Sequence, residues 1–483
     1  MRNPSIKKNF IFSLFNQLIA IVIPLVVTPY TSRIFGADGI GINSYTTANV
    51  TYFMLFCMLG ISGYGQRTIA IVRDNKEETS KVFCELQIIH FITFVLCSVA
   101  YFFLVRNSVD YKVYYIAQYT MLVSSFFDIS WFYQAYERFD FIAIRNFFVK
   151  IAVLIAVFVF VHTKNDLVLF IFINGISTVI SNLTLWFGLG KRVKKIDLHK
   201  LNLMRHMKDI MIFFIPTIAA SVYSILDKSV INWVTHDASQ NGYYEQAYKI
   251  LQLCNVLVQT LSTVSAPRMS NVFANGSTEE FKDRLNKSLQ FMLMISMPVA
   301  FGVCAIAQTF VPLFFGSGYD PVITILYVFM PLVVVLGFSV YLDGMYLVPS
   351  GKRLQSAMAV IVGSCFNLFL NFILVTYWGA LGAAIATLLT EVLVSGIMIF
   401  LSKDMIEWRS LGMSMMKYLA CSMVMFGIVF LISKIQLLSY VSLILQVACG
   451  VLSYFVILLI LKDNLIMEYI ILFKRKIKKK LRR

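Results

Sequence analysis

The sequence predicts an all-α, polytopic membrane protein with about 14 transmembrane helices, and three observations predict it. Apolar runs of about 20 residues, the length that crosses a hydrocarbon core about 30 Å thick, follow one another almost end to end. The 483 residues are 59% hydrophobic and 14% charged, where a soluble chain carries about a quarter charged residues. The remaining charge sits mostly in short loops, with Lys and Arg on every second one. Lipid offers backbone groups no partner, so such runs must satisfy their own hydrogen bonds as helices.

In order, the expected spans begin with 10–32 and 42–64, joined by the glycine-rich turn Gly36-Ala-Asp-Gly-Ile-Gly41. Next come 83–105, 112–133, 141–161 and 166–189. The first run is too long for a signal-peptide core. It is followed by Thr31-Ser-Arg-Ile-Phe-Gly36 rather than a small-residue cleavage site, so it reads as a span. A basic segment, 191–209, opens with Lys191-Arg192-x-Lys194-Lys195 and separates this group of six from the next. The second six are 210–234, 244–265, 288–312, 322–347, 355–377 and 381–402, the last two joined through Trp378-Gly-Ala-Leu-Gly-Ala-Ala384. Two further spans, 411–433 and 438–461, follow a polar joint. The expected divisions are therefore 1–190, 191–209, 210–402, 403–461 and a basic tail at 462–483. Six, six and two suggests a duplicated transporter with its site at the interface between the halves. Prolines 24, 29, 216, 298, 331 and 349 lie in or at the ends of spans, where each removes a donor and can kink a helix.

A net charge of +17 raises the question of nucleic acid, but its distribution answers it. Threaded from a cytoplasmic N-terminus, one side receives Arg2, Lys7 and Lys8, the clusters at 67–81, 191–208 and 268–287, Lys352, Arg353, Lys403, Arg409 and the tail 474–483. The other side receives Arg33, Arg106, Lys112, Lys164 and Lys434. That asymmetry orients a membrane protein with both termini inside. The tail also suits anionic headgroups, or is simply solvated.

Enzyme and metal signatures are missing from the sequence. The histidines at 90, 162, 199, 206 and 236 show no ligand spacing, and no Walker A motif occurs. The eight cysteines stand singly, as small core residues do. No catalytic or metal residues and no bound cofactor are expected; energy would come from an H+ or Na+ gradient, substrate flux or a partner.

Charges at membrane depth are costly and usually face a bundle interior or a wet cavity. Asp227-Lys228 lies in the outer half of the seventh span, with the two side chains about 100° apart around the helix. The pair reads as an anion or proton site, or as an interhelical salt bridge. Lys249 follows Glu245 by four residues, the favourable order for a helical pair. Arg33 and Lys150 are further cations near a cavity; Arg67 and Arg145 stand at inner span ends, as anchors or as guards. Asp128, Asp343 and Glu391 are carboxylates at depth, suited to a coupling ion or proton, or to structural pairing.

Several segments, taken in order, resemble one family. They are Pro24-Leu-Val-Val-Thr-Pro-Tyr-Thr-Ser-Arg-Ile-Phe-Gly36 with its turn to Gly41, Gly63-Tyr-Gly-Gln-Arg-Thr-Ile-Ala70, and Leu226-Asp-Lys-Ser-Val-Ile231. Gly242-Tyr-Tyr-Glu-Gln-Ala-Tyr-Lys249, Pro267-Arg-Met-Ser270, Pro349-Ser-Gly351 and Gly379-Ala-Leu-Gly-Ala-Ala-Ile-Ala-Thr387 complete the set. Together they are similar to the Wzx-type oligosaccharide and polysaccharide flippases of the MOP exporter superfamily, relatives of lipid II flippases and MATE exporters. Asn232, where such proteins often carry Gly, and Gln66 depart from the pattern. The resemblance implies two six-helix lobes in a V around a cavity, with two extra helices. It implies a bacterial plasma-membrane flippase for undecaprenyl-diphosphate-linked oligosaccharide units destined for capsule, O-antigen or exopolysaccharide. Membrane lipids and polymerase machinery are the implied partners, with no nucleic acid. Lys228, Lys249, Arg33, Lys150, Arg67 and Arg145 would then meet the diphosphate, and Asp227, Asp343, Glu391 and Asp128 a coupling ion. Tyr223, Trp131 and Tyr341 would stack on sugars. The alternative is a MATE-like, cation-coupled exporter of small molecules.

Overall fold

The computed structural model describes residues 6–194, 196–197, 201–435 and 438–468. Their side chains are described except at 6–22, 191, 216, 219–220, 222–224, 261, 263–264 and 267. The basic tail beyond 468, and with it the expected headgroup contact, lies outside the described residues. The described chain is helical throughout its regular elements, as the sequence predicts. They are α1 (Ile6–Met58), α2 (Ile61–Val72), α3 (Lys76–Asn107), α4 (Lys112–Phe127), α5 (Ser130–Ala135), α6 (Phe139–Phe160) and α7 (Leu167–Leu183). Then come α8 (Met204–Thr235), α9 (Ala238–Asn275), α10 (Thr278–Phe315), α11 (Asp320–Leu342), α12 (Arg353–Leu401), α13 (Trp408–Ser433) and α14 (Ser439–Ile460).

Two elements are too long to be single crossings. α1 has 53 residues and α12 has 49, so a straight α12 would run about 75 Å, more than twice the hydrocarbon core. Each breaks at a glycine: Gly36 has φ 66° in α1 and Gly379 has φ 53° in α12. A side chain rarely tolerates that backbone, and the break lets the chain turn back as the glycine-rich turns predict. Nine stretches of the described residues are long and apolar enough to cross a membrane. Two of the nine, Ile23–Val72 and Arg353–Leu401, contain the breaks at Gly36 and Gly379 and each reaches into two of the expected spans, while 112–133, 210–234 and 244–265 are not among the nine. α4 has 16 residues, and α9 strings Glu245, Gln246, Lys249, Gln252 and Asn255 along its length.

The chain divides into two compact units, Met1–Glu245 and Gln246–Arg483. The division falls inside α9, downstream of the basic segment where the sequence places a joint. In the first unit α1 packs on α3, α4, α6, α7 and α8, while α2 packs on α3, α5 and α8. One core lies where Trp131, Phe132, Phe83, Leu86 and Ile210 meet; a second gathers Phe35, Val157, Leu167 and Ile171. In the second unit α10 is the hub, packing on α11, α13 and α14, with α12 against α11. Pro298 and Pro312 lie inside α10 and Pro331 inside α11. The last turn of α11 opens into a π-helical turn, Asp343–Leu347, a local geometry that often marks functional positions.

Candidate functional site

The densest set of expected site residues forms where α8, the part of α1 after the Gly36 break and the first turns of α9 meet, all within the first unit. Two glycines create the meeting. A Cβ on Gly41 would lie 1.7 Å from the Ala238 carbonyl oxygen, and one on Gly242 would lie 1.9 Å from that of Ala37. Only hydrogens fit there, so the backbones cross closely, as small residues allow between membrane helices. One turn beyond each glycine stand Ser44 and Glu245. The Ser44 hydroxyl donates to Glu245 Oε2 at 3.0 Å.

The same carboxylate oxygen takes the Lys228 ammonium at 2.7 Å, with the two side chains 20% and 16% exposed. Asp227, one residue earlier, is buried and accepts a short hydrogen bond from the buried Tyr244 hydroxyl. The 100° offset expected between Asp227 and Lys228 is therefore used: neighbouring residues of α8 engage neighbouring residues of α9. Asn241 Nδ2 donates to the Lys228 carbonyl at 2.8 Å, and Ser229 meets the Tyr52 hydroxyl at 3.3 Å. The formal charges of Asp227, Lys228 and Glu245 sum to −1. An anion can approach Lys228 only if a carboxylate beside it is neutralised or moves away.

The other expected cations of the first unit stand apart on α1, α2 and α6. Arg33 is exposed on α1, three residues before the Gly36 break. Lys150 lies half-buried on α6, with no acidic partner for it among the described residues. Arg145 donates to Asn146 Oδ1 and to the Ser181 carbonyl, tying α6 to α7. Arg67 is exposed on α2. In the second unit Lys249 Nζ lies 3.4 Å from Gln246 Oε1.

Of the carboxylates, Asp128 follows the end of α4 and accepts from the backbone N–H of Ser130, the first residue of α5, at 2.8 Å. Asp343 opens the π-turn and accepts from the Ser356 hydroxyl. Glu391 is buried at 8% exposure on α12, beside the wholly buried Thr390.

The sugar-stacking expectation needs correction at two positions. Trp131 is wholly buried and stacks on Phe83, and a Cβ on Gly65 would reach 2.7 Å from its ring. No ring face is left for a sugar in this conformation. Tyr341 is 1% exposed and its hydroxyl donates to the Val258 carbonyl at 3.3 Å; it too is a core residue. The Tyr223 side chain lies outside the described residues.

Sequence reasoning missed a second ionic cluster, at the basic-loop end of the first unit. Glu85 is wholly buried on α3. Its Oε2 takes Arg205 at 2.5 Å and His206 Nε2 at 2.8 Å, and its Oε1 accepts the Asn202 N–H at 2.7 Å. Tyr64 reaches the other nitrogen of His206 at 2.7 Å, and Arg205 also pairs with Glu78 at 3.0 Å. Glu85 and Arg205 are 120 residues apart, so local pattern could not pair them. In the second unit, buried Asp463 takes Lys417 and Tyr418 and binds α13 to the turn after α14.

Comparison with known proteins places these features. The family model described as "Polysaccharide biosynthesis protein" matches residues 6–273. A protein named "Putative O-antigen transporter" from Escherichia coli K12 is 22% identical over 414 residues, covering 83% of this chain and 97% of its own. The "Probable low-salt glycan biosynthesis flippase Agl15" of Haloferax volcanii is 22% identical over 183 residues, covering 36% of this chain and 37% of its own. Among solved structures, "Lipid II flippase MurJ, inward closed conformation" superposes with a TM-score of 0.76 at 17% identity, covering 95% of this chain and all of that one.

Proposed function

Since the chain belongs to the polysaccharide biosynthesis protein family, and is a Wzx-type transporter of the MOP superfamily rather than an enzyme, we propose that it flips lipid-linked oligosaccharides across the plasma membrane. The cargo in this reading is an oligosaccharide repeat unit on a polyprenyl diphosphate, moved from the cytoplasmic to the outer leaflet by alternating access. Both termini are cytoplasmic in this reading, which the positive-inside pattern supports. The flipped unit is then a substrate for polymerase machinery outside, building O-antigen, capsule or exopolysaccharide. The transporter and flippase names of the relatives support cargo of this class.

The observation that carries the reading is the partly buried ion pair between Lys228 and Glu245. A diphosphate cannot cross a low-dielectric region without cations, and Lys228, 20% exposed, is a partly buried one. At rest Glu245, which also accepts from the Ser44 hydroxyl, holds it. An arriving diphosphate competes with Glu245 for the ammonium, and protonation of Glu245 removes that competition. One proton on Glu245 thus takes the summed formal charge of Asp227, Lys228 and Glu245 from −1 to zero and weakens the hold of that carboxylate on Lys228. Asp227 stays satisfied by Tyr244 and keeps α8 in register with α9. Coupling to a proton gradient follows in this scheme from the rest state itself: the carboxylate must be re-ionised to displace the anion and reset the pair.

The decisive test of the class is reconstitution. Purified protein in proteoliposomes should move a defined polyprenyl-diphosphate oligosaccharide between leaflets, read by enzymatic access to its sugar. Deletion of the gene in its host should leave drug susceptibility unchanged. Drug efflux without glycan flipping would instead support the MATE-like alternative.

A further inference from the structure

We propose that the junction of α10, α13 and α14 holds one anionic phospholipid of the outer leaflet, with its headgroup in a polar pocket and an acyl chain in the apolar groove beneath. The site is independent of the cation cluster on α8 and α9, and its ligand is a membrane lipid rather than cargo.

The groove, about 400 Å³, is lined by side chains including Cys254, Pro298, Val303, Met425, Val447 and Val451, with Gly302 and Gly450 widening it. It follows α10 from Ile306 to Met294, about 18 Å at 1.5 Å per residue. That is close to one leaflet's half of a hydrocarbon core about 30 Å thick. At the end away from the basic loops lies a polar cavity of about 470 Å³, lined by Gln308, Thr309, Ser433, Lys434, Ser439 and Ser442.

Gln446 joins the two. It lines the groove, and its Nε2 donates to Thr309 at 3.2 Å and to Ser442 at 2.9 Å, both walls of the polar cavity. The side chain is wholly buried, and its Oε1 has no hydrogen-bond partner among the described residues. A buried amide oxygen left unmatched is costly unless a donor reaches it.

The chemistry selects the ligand. Hydroxyls and one ammonium, Lys434, suit the single negative charge of a phosphodiester better than a diphosphate. The unmatched Gln446 oxygen suits a hydroxyl donor such as a glycerol headgroup. The groove holds a chain one leaflet long, far shorter than an extended polyprenyl tail.

The test is native mass spectrometry of the purified full chain, delipidated and then titrated with phosphatidylglycerol or phosphatidylcholine. One phosphatidylglycerol should be retained per chain, with phosphatidylcholine at least about fivefold weaker, the effect of one cation at a membrane surface. Lys434→Gln should cost about fivefold, and Gly302→Leu, which fills the groove, should cost at least as much. Lys434 is exposed, so its replacement leaves folding intact and keeps the test decisive if the groove variant misfolds. Equal retention of both lipids, or no loss in Lys434→Gln, overturns the proposal. So does undecaprenyl phosphate displacing the phospholipid at lower concentration, which would give the site to the carrier.

Discussion

Lys228 Nζ lies 2.7 Å from Glu245 Oε2, joining α8 to the first turns of α9 across a partly buried interface. The pair exists because Gly41 and Gly242 let α1 and α9 cross at backbone contact, which sets Ser44 and Glu245 opposite each other. In the proposed function, protonation of Glu245 switches the hold on Lys228, while Asp227 keeps its hydrogen bond from Tyr244.

Glu245→Gln should separate binding from coupling. Lys228 loses the Glu245 counter-charge, so binding of the diphosphate-linked cargo should hold or tighten. Flipping should lose its response to an imposed pH gradient. The check is initial flipping rate in proteoliposomes with and without that gradient; an unchanged gradient response would remove Glu245 from coupling.

Gly41→Ala and Gly242→Ala should each lower stability by about 1–3 kcal/mol or more, because the new methyl meets backbone carbonyls that cannot give way. Gly412 on α13 has open space around it, and Gly412→Ala should be neutral or stabilising by up to about 1 kcal/mol. Thermal unfolding in one detergent compares all three.

How much of this was legible in the sequence depends on what each feature requires. The helical membrane class was legible because lipid forces long apolar runs on any chain that crosses it. Asp227 and Lys228 were legible because charge at depth is rare. Ser44 and Tyr244 were not, because serine and tyrosine are ordinary in such helices. The role of Ser44 follows from a crossing between residues about 200 positions apart, created by glycines that also read as plain turn formers, and that of Tyr244 from the return of α9 along α8, 17 positions from Asp227. Trp131 was misread for a related reason. An aromatic residue's exposure is set by what packs on it, here Phe83 and Gly65, and nothing local encodes that.

Trp131→Ala should therefore act as a core truncation, costing about 3–5 kcal/mol of stability. Flipping per folded molecule should stay near wild type. A selective loss of flipping with unchanged unfolding would restore Trp131 as a sugar contact.

Arg205→Ala should cost about 3–5 kcal/mol, because Glu85 would remain buried without its main counter-charge. Arg205→Lys should recover only part of that, since an ammonium cannot reproduce the fork that meets both Glu85 and Glu78. Protein yield in membranes and thermal unfolding of the purified variants measure both.

The most direct measurement is the flipping rate of a defined polyprenyl-diphosphate oligosaccharide by Lys228→Ala in proteoliposomes, at matched protein incorporation. A fall of at least about tenfold is predicted, since one lost charge-assisted contact is worth roughly 1.5–3 kcal/mol, with substantial recovery in Lys228→Arg. A wild-type rate in Lys228→Ala would contradict the account.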